Sequence, residues 1–389
     1  MKSLVIFSCR PPGPITKGDQ VILDAKLRNF TKDSDITLIC PRLSKNERLF
    51  IKKRYGSALK VVEFQKGYFD IMLGLFRCFV KKMPFHYALC YSVDAKRKIL
   101  KEVGQKHLHV MLGRSMINIP ESHCPTTLDF VDSGFLALKN RTRSIIARKL
   151  YNIEAKRSCQ FETMVSSMVA YSSAVSIRDA SAISPSVDVV PNGVNLFPHC
   201  KSELSDPQQA ASSLKIVMSG NFGYPPNIEG ANYLINLYRA SDHRKSISLH
   251  FVGKFSKKLQ TMVTTSAADA ISFRGTVPDL QKSLLDYDIA AAILPTGTGI
   301  QNKVLEGYSV GLPILATPNV ISGLPQPNQI GVFSINSQSE FDNSIKTLRS
   351  NQKRVAIGDY NYNHCKRLYD WESRFDALKS IVKTDNSSQ

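Results

Sequence analysis

The stretch richest in reactive residue types is Pro295-Thr-Gly-Thr-Gly299-Ile300-Gln301-Asn302-Lys303-Val-Leu-Glu306-Gly-Tyr-Ser-Val-Gly311-Leu-Pro313-Ile-Leu-Ala-Thr317. The apolar run Ile289–Leu294 enters a Gly-rich turn, and a helix is expected to start near Asn302. Such a strand–turn–helix offers unpaired backbone N–H groups and the positive end of a helix dipole to an anion. Lys303 falls in the first turn, where a cation is unfavourable unless something anionic is bound there. Glu306 lies three residues on, on about the same face, and suits ligand hydroxyls. A plainer reading stays open: Gly297 and Gly299 make an ordinary turn, and Lys303 and Glu306 form a surface ion pair.

A second group of acids sits in Leu128-Asp129-Phe-Val-Asp132-Ser133, at the end of an apolar run. Asp129 and Asp132 are the candidate polar groups for work on a reacting carbon, against the plainer reading that Asp132 with Ser133 caps the next helix. The triplets Asp33-Ser34-Asp35 and Asp286-Tyr287-Asp288 each precede an apolar strand and read as loop chemistry, not as metal sites. Eight cysteines lie far apart with no C-x-x-C pair, so neither a metal centre nor a disulfide framework is expected, and a reducing compartment is the simplest reading.

These residues need strands and helices to hold them. In the first half, Leu4–Phe7, Ile36–Cys40, Leu59–Phe64, His109–Leu112, Thr127–Val131, Met168–Tyr171 and Val187–Val190 read as strands. Gly18–Phe30, Tyr68–Lys82, Lys96–Gly104 and about Leu136–Ser166 read as helices. In the second half strands at 215–219, 248–252, 270–274, 289–294 and 313–317 alternate with helices at 227–239, 254–264, 279–287, 302–310 and 340–348. Alternation of this kind implies βαβ units and parallel sheets. The expected organisation is an N-terminal domain over 1–194, a linker over 195–214, a C-terminal domain over 215–357, and amphipathic helices over 358–389 around Trp371 that pack back on the first domain. Two doubly wound domains of this kind face each other across a cleft at the carboxyl ends of their strands.

The Gly299–Glu306 block resembles the nucleotide-sugar-binding motif of retaining glycosyltransferases of family 4, which have the GT-B fold. The likeness continues through Val217-Met-Ser-Gly220-Asn221-Phe-Gly-Tyr-Pro-Pro-Asn227, Phe273-Arg-Gly275-Thr-Val277 and Val190-Pro-Asn192-Gly193-Val194. In the first half, Pro11-Pro-Gly-Pro-Ile-Thr-Lys17-Gly18-Asp19, the Asp129–Ser133 segment and Leu150 to Glu162 look like sugar transferases of bacterial exopolysaccharide and O-antigen assembly. The resemblance implies an α/β GT-B enzyme in which Glu306 holds the ribose hydroxyls and the Gly299, Ile300, Gln301 and Asn302 backbone with Lys303 holds the diphosphate. The Val277 backbone would meet the base, while Asn221 and Gly18 border the donor, Gly18 by allowing close approach. Arg10, Lys17 and Arg114 would serve acceptor or phosphate binding, and Asp129 or Asp132 would assist near the anomeric carbon. It implies a nucleoside diphosphate sugar as co-substrate, UDP or GDP, with no cofactor and no metal. Two departures stand out: Thr298 replaces a frequent Glu, and no Arg or Lys follows the first strand of the second domain.

The formal charge is +19, with 31 Lys+Arg against 16 Asp+Glu (+15) in residues 1–200 and 20 against 16 (+4) in the rest. Lys52-Lys53-Arg54, Arg77 with Lys81-Lys82, Lys96-Arg97-Lys98, and Arg141, Arg143, Arg148 and Lys149 cluster in the first half. Tyr68–Lys82 interleaves bulky apolar residues with a basic end and suits a lipid interface, or equally a core helix with a basic rim. No window is long enough to span a bilayer, and no nucleic-acid-reading element is present. The expected partners are a nucleotide sugar, a lipid-linked saccharide acceptor and an anionic membrane surface, at the inner face of the cytoplasmic membrane. The alternatives are a nucleotide-sugar epimerase on the same fold, for which the first half lacks the acid and His constellation, and a non-enzymatic scaffold on a degenerate transferase fold.

Overall fold

The computed structural model describes residues 2–15, 18–104, 106–119, 124–139, 145–204, 213–255, 269–295, 301–324, 331–371 and 375. The chain divides into two compact units, residues 1–191 with 374–389, and residues 192–373.

The first unit is a parallel seven-stranded sheet, β1 (Lys2–Ser8), β2 (Ser34–Pro41), β3 (Leu59–Phe64), β4 (His107–Met111), β5 (Thr126–Asp129), β6 (Tyr171–Ala174) and β7 (Asp188–Val189), in the order β3-β2-β1-β4-β5-β6-β7. The run Leu4-Val-Ile-Phe7 is buried on both faces, which is why β1 tolerates no polar alternation and lies inside the sheet, between β2 and β4. Val5 pairs in register with Thr37 on one side and Leu108 on the other. Helices α1 (Gly18–Phe30), α2 (Lys45–Tyr55), α3 (Tyr68–Val80), α4 (Val93–Val103), α5 (Gly134–Lys139), α6 (Ile145–Ser167) and α7 (Ile177–Ile183) connect the strands.

The second unit has a parallel six-stranded sheet, β8 (Leu214–Phe222), β9 (Ile247–Phe255), β10 (Ile271–Arg274), β11 (Ile289–Ala292), β12 (Ile314–Ala316) and β13 (Val332–Ser334), ordered β10-β9-β8-β11-β12-β13. Its helices are α8 (Lys201–Leu204), α9 (Pro225–Ala240), α10 (Leu280–Leu284), α11 (Asn302–Tyr308), α12 (Pro318–Ile321), α13 (Gln338–Leu348) and α14 (Asn351–Leu368). Two cores sandwich the sheet. One is built around Phe222, Phe251 and Phe341 and the other around Tyr287, Tyr308 and Tyr369.

Several elements differ from expectation for identifiable reasons. Helix α2 was not expected because it buries only Ile51 and Tyr55. A capping box fixes its start, with the Ser44 hydroxyl accepting the Glu47 N–H and the Glu47 carboxylate accepting the Ser44 N–H. Helix α7 is likewise set by Ser176 at its N-cap. The sixth strand lies at Tyr171–Ala174 instead of Met168–Tyr171, because Met168 closes α6 through a backbone bond to Val165.

Residues 192–204 are not a free linker. Val194 pairs with Asp370 and donates to the Tyr369 carbonyl at 2.7 Å, Phe197 and Lys201 donate to Ser309 and Val310, and Cys200 is buried. The expected boundary at 357/358 falls inside α14, a single helix from Asn351 to Leu368. Lys254 and Phe255 are strand, and the rest of the helix expected over 254–264 lies outside the described residues, as do residues 205–212, Arg141 and Arg143.

Candidate functional site

The second sheet reverses its winding between β8 and β11, the place where doubly wound sheets leave a crevice at their carboxyl ends. Ser219, Gly220 and Asn221 lie just before the end of β8 at Phe222, the helix after it opens with Pro225, Pro226 and Asn227, and α11 follows β11. Four side chains meet there. Lys303 donates from Nζ to Asn227 Oδ1 at 2.9 Å, Asn227 Nδ2 donates to the Asn221 carbonyl at 2.9 Å, and the Ser219 hydroxyl donates to Glu306 Oε2 at 3.3 Å. Gly220 has φ +154°, and a Cβ on it would lie 3.1 Å from Asn227 Nδ2 and 3.6 Å from Lys303 Nζ, so the bare backbone makes room for both.

Among the described residues no carboxylate is in hydrogen-bond contact with the Lys303 ammonium, whose described hydrogen-bond partner is the Asn227 amide. Both Lys303 and Glu306 keep part of their surface open, yet protein crowds them on all sides. Burial lowers the Lys303 ammonium to about 8, with the Glu306 charge opposing. Burial also raises the Glu306 carboxyl above its ordinary range, against the pull of Lys303 and Ser219. Pro225 and Pro226 have no N–H, and the N–H groups of Asn227 and Ile228 bond to the Tyr224 carbonyl at 3.0 and 3.2 Å. The start of α9 therefore offers the Asn227 side chain to the crevice instead of free backbone donors from these four residues.

Of the residues expected at the donor, Asn302, Lys303 and Glu306 share α11, and Asn302 Oδ1 accepts from Asn192 Nδ2 at 2.9 Å. Gln301 precedes the helix as its N-cap residue without a side-chain cap bond. Asn221 reaches Lys303 only through Asn227. Val277 lies after β10, two strands from the switch point, with its side chain against the second core. Gly299, Ile300 and Thr298 lie outside the described residues, as does Lys17. Asn227 closes the Val217–Asn227 motif, where its residue type alone assigns it no role. The distance of 76 residues to Lys303 hides the pairing, and the only local hint was the missing cation.

The first sheet reverses between β1 and β4, and its expected residues gather at the same kind of place. Arg10 follows β1, Arg114 follows β4, and both reach Asp19 in the first turn of α1, Arg114 at 3.8 Å. Gly18 is the exposed first residue of α1.

Asp129 is turned inward. Its Oδ2 pairs with the buried Lys26 at 2.5 Å, while Oδ1 accepts the Val131 N–H at 2.9 Å. Lys26 also lies 3.0 Å from His109 Nε2, and His109 Nδ1 lies 2.8 Å from the Thr127 hydroxyl. Burial first, then Lys26 and His107, keep His109 neutral by pushing its pKa well below the ordinary value. With both oxygens engaged, Asp129 has a positioning geometry, and of the two acids only Asp132 is an exposed residue.

Asp132 rides on a loop gripped by three other acids. Asp129 takes the Val131 N–H, Asp179 the Ser133 N–H at 3.0 Å, and Glu162 the Gly134 N–H at 2.7 Å. Val131 is held at φ +64°, a strained conformation for a β-branched residue. Ser133 does the capping, accepting from Leu136 N–H at 3.4 Å, so Asp132 is spared that task. Crowding by protein first, then Asp179, Asp19 and Asp129, raises Asp132 to about 7, with Arg114 opposing. Burial raises Glu162, whose carboxylate also accepts from Ser133 and Tyr87, to about 7. No local signal in the sequence marks Glu162 or Asp179 for this task. Among the described residues no group of His, Cys, Asp and Glu is arranged to hold a metal ion, and the eight cysteines are free thiols.

Residues 213–351 match the family model described as Glycosyl transferases group 1. No curated protein matches the chain. HepE of Anabaena in complex with UDP-glucose is similar in fold, with TM-score 0.65 and 12% identity over 100% of each chain. A TarM variant of S. aureus in complex with Fondaparinux, alpha-GlcNAc-glycerol and UDP gives TM-score 0.69 and 9% identity over 98% of this chain and 100% of that one. WaaG, a glycosyltransferase involved in lipopolysaccharide biosynthesis, gives TM-score 0.60 and 12% identity over 95% and 98%. Likeness at these identities is one of fold: the chain has the two parallel-sheet α/β units of the GT-B glycosyltransferases.

Proposed function

We propose that the protein is a retaining glycosyltransferase of family 4 type, moving a hexose from a nucleoside diphosphate sugar to a lipid-linked saccharide during surface polysaccharide or glycoconjugate assembly. The observation that carries this reading is Lys303 held by the neutral Asn227 amide, with Glu306 one turn away, at the switch point of the segment that matches the family model. A diphosphate needs a cation not already neutralised by hydrogen-bonded acid, and a ribose needs an acceptor for its hydroxyls. Lys303 supplies the first and Glu306 the second.

Lys303 then stabilises the charge that develops on the departing diphosphate, the largest electrostatic demand of the reaction. The diphosphate itself takes the acceptor proton on the same face of the sugar, so no protein nucleophile is required. Asp132 is the polar group offered toward the anomeric carbon, and Asp129, Glu162 and Asp179 hold its loop. Arg10 and Arg114, tied to Asp19, serve acceptor or phosphate binding. The basic first half favours attachment to the anionic inner face of a cytoplasmic membrane, where a lipid-linked acceptor resides.

UDP is the first nucleotide to test, because HepE and TarM were crystallised with it. Calorimetric titration with UDP and GDP, followed by incubation with the matching nucleotide sugars and a membrane lipid extract, checks the reading. The expected result is binding of one nucleotide and transfer of its sugar to lipid. Binding of neither would leave a scaffold, and conversion of the sugar without acceptor would indicate an epimerase.

A further inference from the structure

Helix α3 is built inside out. Its sequence, Tyr68-Phe-Asp-Ile-Met-Leu-Gly-Leu-Phe-Arg-Cys-Phe-Val80, would ordinarily bury its aromatic side, yet its fully buried residues are Gly74 and Cys78, one turn apart. A Cβ on Gly74 would lie 3.0 Å from the Ala88 carbonyl oxygen and from Tyr91 Cβ, so the helix backbone rests directly on the 3-10 turn Phe85–Cys90. The polar residues also point inward. Asp70 accepts the N–H groups of Gly67 and Val93 at 2.8 and 2.9 Å, and Arg77 lays its guanidinium over the Tyr91 ring at 5.2 Å. The outer face is left to Tyr68 (90% exposed), Phe69 (74%), Met72, Phe76 (64%), Phe79 (68%) and Val80.

This face continues onto α6. Ile153 lies beside Phe79 and Val80 at the end of α3, and Leu150, one turn before it on α6, is exposed as well. Between the two helices lies a cavity of about 540 Å³ with apolar walls from Phe79, Val80 and Ile153 and a cationic rim of Lys82, Lys156 and Arg157. Arg157 is held by Glu154 at 3.4 Å and by the Phe85 ring at 4.6 Å, whereas Lys82 and Lys156 make no ion pair with a described residue. An apolar platform with cations at its edge matches a surface that is anionic outside and apolar beneath. A second copy of the chain would set the same cations against each other. No helix among the described residues is long and apolar enough to cross a membrane, and α3 has 13 residues, so it lies along the interface.

We propose that α3 and the start of α6 form an insertion surface for an anionic phospholipid bilayer, with the aromatic face of α3 entering the acyl boundary and one lipid phosphate seated between Lys82 and Lys156. This rests on the membrane-facing part of the reading above and names the element responsible. It does not depend on the donor site.

Sedimentation of the full chain with phosphatidylcholine vesicles, with and without phosphatidylglycerol, tests it. The wild type is expected to partition onto the anionic vesicles and only weakly onto neutral ones. The double variant Phe76→Ser with Phe79→Ser should lose at least about tenfold, since binding scales with the apolar area inserted. Lys82→Glu with Lys156→Glu should lose about thirtyfold or more. Nucleotide titration and the melting temperature serve as fold controls and should be unchanged in both variants. Wild-type binding by both variants would overturn the assignment while leaving basic attachment elsewhere intact, and equal binding to both vesicle types would overturn the phosphate seat. A wild type that ignores vesicles but elutes as a dimer, made monomeric by the Phe substitutions, would make the face a contact between copies and overturn the proposal. A monomer that ignores vesicles would overturn it together with the membrane reading. Failure of nucleotide binding alone would strike the transferase reading and not this one.

Discussion

The two sheets reverse at equivalent places, between β1 and β4 and between β8 and β11, yet they treat charge in opposite ways. At the first, Arg10 and Arg114 share Asp19, Lys26 is sealed against Asp129, and three acids grip one loop. At the second, Lys303 hydrogen-bonds to an amide and Glu306 to a hydroxyl. Paired charges fix geometry, because each partner answers the other. A cation on an amide keeps most of its field for a ligand. The first switch point is built to hold a loop in place, the second has the arrangement that the proposed function assigns to an anion, and the difference follows from the neighbours of the charges and not from topology.

Breaking a pair on each side should therefore give opposite outcomes. Asp129→Ala leaves Lys26 buried without its carboxylate and releases the Val131 turn, so a loss of about 3 to 5 kcal/mol is expected in denaturant unfolding of the full chain. Little or no loss would mean that Lys26 is not held as a charge there, and the comparison would fail at its first side.

Lys303→Ala should change stability little, because no described carboxylate loses a hydrogen bond and Glu306, whose carboxyl it leaves without a neighbouring cation, can take up a proton. It should weaken nucleoside diphosphate binding by about 1.5 to 3 kcal/mol, the range for hydrogen bonds to charged groups. The pH dependence has a definite sign. The ammonium is protonated below its value of about 8, so wild-type affinity should decline as pH rises through that point, and the Ala variant should show no such decline. Asn227→Asp sharpens the test by supplying the carboxylate that the site lacks: affinity should drop while the inflection moves above 8. An unshifted inflection would separate Asn227 from the control of Lys303.

How much of this the sequence discloses depends on separation along the chain. The alternation of apolar runs with helical segments is local, so both sheets and the Lys303–Glu306 spacing can be read from it. The pairing of Asn227 with Lys303, of Lys26 with Asp129 over 103 residues, and of Glu162 with Gly134 depends on which strands become neighbours, and no window contains it. Helix α3 shows a different limit. Its pattern announces two unlike faces, but which one turns inward is decided by the room that Gly74 leaves over Ala88, a fact of packing. Helix α2 was readable in principle from Ser44-x-x-Glu47, although its charged middle masks any apolar period.

The smallest effect concerns Asp132, whose burden is crowding by protein first and the acids around it second. Its native value near 7 exceeds the ordinary carboxylate value of 3.8, so the folded protein holds a proton that the unfolded chain releases between those values. Between about pH 4 and 7 the native state binds more protons, and stability falls as pH rises through that range. Above 7 the native carboxyl is charged among Asp179, Asp19 and Asp129, and the penalty is fully present. Asp132→Asn removes it, so its melting temperature should exceed that of the wild type at pH 8, and the gain should shrink as pH falls, toward nothing only well below the ordinary value of 3.8, where the wild-type acid is neutral in both states. If Asp132 also acts near the anomeric carbon, the same variant should transfer sugar more slowly with unchanged nucleotide affinity. A gain that ignores pH would show that crowding by neighbouring acids is not what the substitution relieves. A variant that is more stable and equally active would leave the three-acid grip on its loop as architecture alone.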